Sequence, residues 1–439
     1  MEERSLKLKL AESVVYAERG GKHLFLQPSI PDWLVVNQNG AILLSRCDGS
    51  ATREEIVKST AAFGSLSQQA QALFSEALSR GILVDSAFTL NKNAETVRCA
   101  EPKSNKPILG SVHLMLTNQC NLHCSYCYAQ SGKPSEVLSL RDLELIANGV
   151  ASISRCVEYE LSGGEPLLNP HALDFAEMVK ASGNTVHILT NGTLIDEKNA
   201  ESISKVADMV KISLDGSSED VHSATRGKNN FARVVRAIDF LVNLNVNVIV
   251  AMTVTRENRS DIPEMVSRFG SRLVLQPLFK AGRGEDKDHL SLTGAEYYEA
   301  LASVDGLAPM GMIAKTLESV RGRGIRRCAL AEREISISET GDIYPCQLLH
   351  AEEFRAGNIR ERPLAEIYYE SPVFNRLRNI TVDTLGKCST CELRYICCGA
   401  CRARDYYEVG SIESVGEFCE YERQAFINGL FESVEMQSI

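Results

Sequence analysis

The 439-residue chain lacks any surplus of positive charge: 47 Lys and Arg face 57 Asp and Glu, for a net charge of −10. That balance argues against a surface built for nucleic acid or an acidic membrane. The opening residues, Met1 to Lys7, contain no apolar core of signal-peptide length, and no later apolar run is long enough to span a bilayer. A cytoplasmic protein is expected, without a membrane or nucleic-acid partner. Internal repeats and low-complexity segments are missing too. Cysteine is scarce at first, since only Cys47 precedes residue 99, and then crowded, with six between Cys388 and Cys419. With no export signal, fourteen cysteines so clustered point to metal or iron–sulfur ligation rather than to disulfides.

Lys22–Gln27 and Trp33–Asn37 read as short strands around a Pro-containing turn, and Asp48-Gly49 as a further turn. Thr52 with Glu55, and Ser65 with Gln68, are capping boxes that each open a helix. The second helix places Ala70, Leu73, Phe74, Ala77 and Leu78 on one face and stops at Gly81, and Ile82–Val84 returns as a strand. This pattern fits a winged-helix-like module over residues 1–86. Residues 87–107, polar and aperiodic, suit a linker.

From residue 108 to about 310 strands and helices alternate. Strands are expected at Val112–Leu116, Glu158–Leu161, Val186–Leu189, Met209–Leu214, Val246–Val254 and Leu273–Gln276, with helices between them such as Ala172–Lys180 and Phe231–Leu241. Six βα units imply an α/β fold with a parallel sheet, curled into a partial (β/α)6 TIM-like barrel. Chemistry in such folds belongs to loops at the carboxyl ends of strands. Cys120 follows the first strand, Gly163-Gly164-Glu165-Pro166 the second and Thr190-Asn191-Gly192 the third. Residues 311–439 form a third, cysteine-rich and irregular unit.

Cys120, Cys124 and Cys127 form a C-x3-C-x2-C array. Three thiolates on one loop can hold three irons of a [4Fe–4S] cube and leave the fourth open to a ligand. A zinc site with His123 as a distant fourth ligand would leave the other motifs unexplained. A bacterial ferredoxin spaces its cysteines differently. The array resembles the motif of the radical S-adenosylmethionine (SAM) superfamily, C-x3-C-x-aromatic-C, with Tyr126 as the aromatic residue. The resemblance implies that SAM chelates the open iron and is cleaved by one electron to a 5′-deoxyadenosyl radical, which abstracts hydrogen from substrate. It places Tyr126 beside the adenine and Gly163, Gly164, Glu165 and Pro166, the family's GGEP motif, at the methionine amino group. Asn191 joins this set from the loop after the third strand. Ser213 and Asp215, at the end of the fourth strand, are implied at the ribose, and Arg226 at the SAM carboxylate. A turn former at Asp215 and a solvated arginine at Arg226 are the plainer alternatives.

Cys328, Gly341 and Cys346 are spaced C-x12-G-x4-C, and Cys388, Cys391, Cys397 and Cys401 run C-x2-C-x5-C-x3-C before Cys419. This resembles the seven-cysteine SPASM domain, which carries two auxiliary [4Fe–4S] clusters, making three in all. The resemblance implies that Cys388, Cys391, Cys397 and Cys419 hold an outer cluster. Cys328, Cys346 and Cys401 are implied to hold an inner one, nearer SAM, and no cysteine just before Cys328 supplies a fourth ligand. An iron open to substrate is one outcome; ligation by Cys99 or Cys398 is the other. Cys47 and Cys156 read as packed in helical segments. Four arginines between Arg321 and Arg327 read as a solvated face or, alternatively, as a contact for an acidic peptide.

The stretch from about residue 20 to 85 resembles the PqqD-like leader-recognition element of peptide-modifying systems. The residues that carry it are the strand pair, Asn37–Gly40, Leu43–Gly49 and Glu54-Glu55-Ile56. Such a module can add an extended peptide to an open sheet edge; a structural cap on the barrel is the alternative. Together these resemblances imply maturation of a ribosomally made precursor peptide bearing a leader, with a thioether as the first expected bond and a carbon–carbon or ether crosslink next. A flavodoxin- or ferredoxin-type reductant is the implied electron source. Protein oxidation as in anaerobic sulfatase maturation, small-molecule oxidation of a tetrapyrrole side chain, and a non-catalytic peptide-binding or electron-carrier protein are the competing readings. The intact SAM loop argues against the last.

Overall fold

Short apolar stretches broken by turns build the N-terminal segment as two antiparallel three-stranded sheets. The computed structural model describes residues 6–59, 67–86, 106–304 and 317–433. Ser65, Cys99 and most of the expected linker, residues 87–105, lie outside the described residues. The N-terminal strands are β1 (Lys7–Leu10), β2 (Val15–Arg19), β3 (Lys22–Gln27), β4 (Asp32–Val36), β5 (Asp48–Thr52) and β6 (Leu83–Asp85). They pair in the orders β5-β1-β6 and β2-β3-β4. Gly20 and Gly21 both take positive φ (53° and 74°), as a tight two-residue hairpin between β2 and β3 demands. Asp48-Gly49 is not a free turn: it opens β5, where Asp48 pairs with Lys9 of β1. The Thr52 capping box is present, its hydroxyl and backbone N–H both donating to Glu55 Oε2 at the start of the helix Arg53–Ser59.

One face of the β2-β3-β4 sheet is covered by the C-terminal region. Leu24, Leu26, Trp33 and Val35 pack against Leu393, Ile396, Leu430 and Phe431, and the Trp33 indole N–H donates to Ser433 Oγ at 3.0 Å. The arginine run reinforces this junction. Arg321 pairs with Asp32 at 2.9 Å and stacks 4.6 Å over the Trp33 ring, while Arg326 pairs with Asp383 and Arg327 with Glu332. Three of the four guanidinium groups in the run are thus engaged within the chain, and Arg323 is exposed.

Beyond the linker, apolar residues on alternate strand positions pack against helices and leave the opposite positions facing the barrel lumen. The strands are β7 (Ser111–Met115), β8 (Glu158–Ser162), β9 (Thr185–Thr190), β10 (Met209–Ser213), β11 (Val248–Val254) and β12 (Leu273–Pro277). All five pairings among them are parallel, in sequential order. Three of the intervening α-helices start at side-chain caps, Ser139, Asp196 and Ser218, the first two as full capping boxes with Asp142 and Asn199. The six expected βα strands form the six-stranded arc.

The sheet does not end there. The strands β13 (Glu334–Ile337), β14 (Asp342–Tyr344) and β15 (Gly357–Asn358) come from the cysteine-rich segment, and β13 joins β7 in parallel to give nine strands. The region beyond residue 320 is thus partly regular and continuous with the barrel. On the lumen side lie Glu158 and Glu160 of β8, His187 of β9, Lys211 of β10, His113 of β7 and Glu334 with Ser336 of β13; their strand neighbours, such as Tyr159, Val186 and Ile335, fill the core. Cys47 is packed in the N-terminal core as expected. Cys156 is not packed: the preceding helix ends at Ile153, and Cys156 is exposed with φ 57° in the turn into β8. No helix among the described residues is long and apolar enough to cross a membrane.

Candidate active site

The loop after β7 carries Cys120, Cys124 and Cys127, all partly buried. Neighbouring strand ends hold its backbone. Gly164 N–H donates to Thr117 O at 2.7 Å and Glu165 N–H to Gln119 O at 2.9 Å, so the Gly-Gly-Glu-Pro turn is bonded directly to the cysteine loop. These bonds require two backbones to approach where a Cβ does not fit. A methyl on Gly164 would lie 2.7 Å from Gln119 C and 2.9 Å from Asn118 O, and one on Gly163, at φ 134°, would press on the Thr117 carbonyl.

Glu165 is fully buried. It accepts from Thr190 Oγ1 at 2.7 Å, Asn191 N at 2.8 Å and Leu167 N at 3.3 Å. Burial still pushes its carboxyl up to about 7, against the pull of those donors. Asn191 links outward from here, its amide donating to Asn121 Oδ1 at 2.9 Å and lying 3.8 Å from Cys120 Sγ. Pro166 is buried and opens the short turn that follows.

On the other side of the loop, Tyr126, Asp215, Thr225 and Arg226 form one buried network. Asp215 has no exposed surface. It accepts from the Tyr126 hydroxyl, from Thr225 Oγ1 at 2.8 Å and from Thr253 N at 3.1 Å, and pairs with Arg226 Nε at 2.9 Å. Arg226 lies over the Tyr126 ring at 5.6 Å with Nη1 4.0 Å from Cys124 Sγ, and is only 9% exposed, so it is not a solvated arginine. Burial weakens the guanidinium's hold on its proton, but Asp215 and Tyr126 more than reverse this. Burial also drives the Tyr126 hydroxyl well above its ordinary range. His222 steadies the turn, accepting from Asp215 N at 3.1 Å and presenting Nε2 to Asn230 Oδ1 at 2.6 Å. Ser213 ends β10 two residues before Asp215, on the lumen side.

Three supports of the loop are invisible to motif reading. Arg283 N–H donates to Cys127 O at 2.9 Å, its Nε to Cys124 O at 2.8 Å and its Nη1 to Ser131 O at 2.6 Å. Gly282 beside it touches the Tyr128 carbonyl closely enough to exclude a Cβ. Thr225 O accepts from Ser125 N at 2.9 Å. A Gly-Arg-Gly turn just after the sixth barrel strand is the only sequence signal for Arg283.

The seven C-terminal cysteines fall into two groups. Cys328, Cys346 and Cys401 act on one another electrostatically, as do Cys388, Cys391, Cys397 and Cys419. A repeated local geometry marks many of the candidate ligands: the N–H two residues ahead points at the sulfur. Leu122 donates to Cys120 and Leu393 to Cys391, each at 3.4 Å, and Leu330, Leu348 and Gly399 stand likewise to Cys328, Cys346 and Cys397. Such sulfurs are arranged as acceptors, as a cluster thiolate requires. Cys47 behaves oppositely, its thiol donating to Leu43 O at 3.5 Å within the core. Burial lifts Cys120 to about 11, Cys397 to about 12 and Cys401 to about 11. Thiols so placed become thiolates once a metal replaces the proton, so the residues fit iron–sulfur clusters.

Comparison with known proteins agrees with this geometry. Residues 114–269 match the radical SAM superfamily, and residues 328–392 match an iron–sulfur cluster-binding domain, SPASM. The chain is 29% identical over 338 residues to an AdoMet-dependent heme synthase of Methanosarcina barkeri, covering 70% of this chain and 95% of that protein. It is also 29% identical over 315 residues to the mycofactocin maturase MftC of Mycobacterium ulcerans, covering 66% of this chain and 82% of the relative. The fold matches the crystal structure of Streptococcus suis SuiB bound to precursor peptide SuiA with a TM-score of 0.58 at 17% identity, over 94% of this chain and 100% of that one. The chain is an enzyme with a radical SAM domain and a SPASM domain, and its cofactors are S-adenosylmethionine and [4Fe–4S] clusters.

Proposed function

We propose that this enzyme oxidises a ribosomally made precursor peptide and closes a side-chain crosslink, a thioether first among the candidates. The observation that carries the reading is the N-terminal sheet. It is docked on the cysteine-rich region by one face, while β2 pairs only with β3 among the described strands and leaves Val15 and Tyr16 exposed. An edge of this kind can take a leader as an added strand, in the manner of a PqqD-like element. The likeness to a mycofactocin maturase and to a fold solved with a precursor peptide supports the same substrate class.

In this reading Cys120, Cys124 and Cys127 hold the SAM cluster, which when bound supplies the electron that cleaves SAM. Tyr126 lies beside the adenine. Gly163, Gly164, Glu165 and Pro166 shape the pocket for the methionine end, with Asn191 bridging Glu165 to the loop. Asp215 is saturated by internal donors, so it positions Tyr126 and Arg226, leaving Ser213 and the Arg226 guanidinium to face the ligand. Cys388, Cys391, Cys397 and Cys419 hold an outer auxiliary cluster and Cys328, Cys346 and Cys401 an inner one, giving three clusters. When bound, SAM would supply the acceptor of a hydrogen atom and the auxiliary clusters an acceptor of one electron, so that closing the crosslink would remove two hydrogens from the peptide, the second as a proton. A flavodoxin- or ferredoxin-type protein supplies the first electron.

A second reading, oxidation of a tetrapyrrole side chain, is favoured by the heme synthase relative. Tetrapyrroles of that kind carry several carboxylates, however, and the lumen presents Glu158, Glu160 and Glu334 against Lys211, an arrangement that repels them. The test is anaerobic incubation of reconstituted enzyme with SAM, a strong reductant and the short peptide encoded beside its gene. Loss of two hydrogens from the peptide with matching deoxyadenosine is expected. Deoxyadenosine formed equally with and without the peptide would overturn the reading.

A further inference from the structure

Three cysteines leave one iron of the inner cluster without a protein ligand. Cys398 is poorly placed to supply it. This residue takes φ 51° and lines a small cavity of mixed character with Arg327, Cys328, Val382, Leu385 and Arg402. The charges acting on its thiol include Cys328 and Cys397 but neither Cys346 nor Cys401.

A different side chain stands at the right place. β13 and β14 pair antiparallel, with Ser336 opposite Tyr344 and Ile337 opposite Ile343. The ladder stops there: β14 ends at Tyr344, and the Glu334 N–H turns back to Ala329 O, so only its side chain reaches towards Cys346. The Gln347 N–H, next to Cys346, donates to Glu334 Oε1 at 3.5 Å, which fixes the carboxylate on the Cys346 side. Glu334 is also the foremost charge acting on both the Cys328 and the Cys346 thiols. Strand alternation turns it towards the lumen: Ile335 and Ile337 are buried in the core, and Glu334 is in register with Ser111 of β7. No ion pair engages Glu334 among the described residues; the charges around it are Glu160 and Glu158. A carboxylate buried among thiols and further carboxylates stays ionised only beside a cation, and otherwise takes up a proton.

We propose that the Glu334 carboxylate is the fourth ligand of the inner auxiliary cluster, completing the set of Cys328, Cys346 and Cys401. The inference rests on the reading of those three cysteines as inner-cluster ligands. Coordination uses the deprotonated carboxylate, transfers no electron and releases its proton to solvent. A hard oxygen ligand holds iron less firmly than a thiolate does, so an incoming sulfur donor can displace it on the lumen side.

The full chain, labelled with [5-13C]glutamate and reduced, would be studied by 13C electron–nuclear double resonance on the signal that Cys346→Ala removes. A resolved 13C coupling in the wild type, lost in Glu334→Ala, is the expected result. Absence of the coupling in the wild type, or its survival in Glu334→Ala, would overturn the assignment; the wild-type measurement decides even if the variant fails to load. Cys346→Ala should lose about four irons per chain. If it retained them all, the inner-cluster reading itself would fail, an outcome distinct from failure of the glutamate ligand.

Discussion

Gly164→Ala is expected to cut deoxyadenosine formation by about a thousandfold, equivalent to roughly 4 kcal/mol of lost stabilisation, while the auxiliary clusters remain. The reason is backbone contact. The added methyl would meet Gln119 C at 2.7 Å and Asn118 O at 2.9 Å, and neither can swing aside as a side-chain tip would. To relieve the clash, the turn after β8 must separate from the cysteine loop. It then breaks Gly164 N–H to Thr117 O and Glu165 N–H to Gln119 O. Cys120 lies one residue from Gln119, so the first cluster ligand and Glu165 move apart together. Anaerobic turnover with product quantified by chromatography, alongside iron content, checks this. A variant within about fivefold of wild type would show that the close approach is dispensable.

Asp215→Ala is expected to destabilise the protein by about 3–5 kcal/mol, because it removes the anion from a buried pair and leaves the cation behind. Arg226 would lose its partner at 2.9 Å, and the Tyr126 and Thr225 hydroxyls and Thr253 N–H would lose their acceptor. At roughly 2–4 °C per kcal/mol for a unit of this size, the melting temperature should fall by about 10 °C. Asp215→Asn should recover only part of this, since an amide still accepts from Thr253 N–H but cannot neutralise Arg226. Calorimetry of the two variants without added SAM separates this structural role from ligand binding. Equal stability of Asp215→Ala and wild type would mean that the network holds nothing together.

Much of this arrangement is legible in the sequence because local chemistry dictates it. Each strand from β7 to β12 has apolar residues bounded by capping or turn residues, and the cysteine spacings are set by the size of a cluster. What escapes sequence reading depends on residues distant along the chain. Strands β13 to β15 are two to four residues long and interrupted by Gly341, too short for a periodic pattern. Asp48-Gly49 has turn composition, yet pairing with Lys9 draws it into β5. The helix before Cys156 ends at Ile153, so the periodicity that would bury that cysteine stops short of it. The partners of Arg321, Arg326 and Arg327 come from β4, from Asp383 and from Glu332, and no local pattern announces them. Arg283 and Glu334 are of the same kind, ordinary in sequence and given meaning only by the sheet that brings them beside the cysteines.

The division of labour between one SAM-cleaving cluster and two auxiliary clusters is tested most directly by iron and sulfide analysis of anaerobically reconstituted protein, wild type beside the variant with Cys120, Cys124 and Cys127 all changed to Ala. The account predicts about twelve irons per chain in the wild type and about eight in the variant, with SAM cleavage abolished only in the latter. About four irons in the wild type, or a variant that still makes deoxyadenosine, would contradict it.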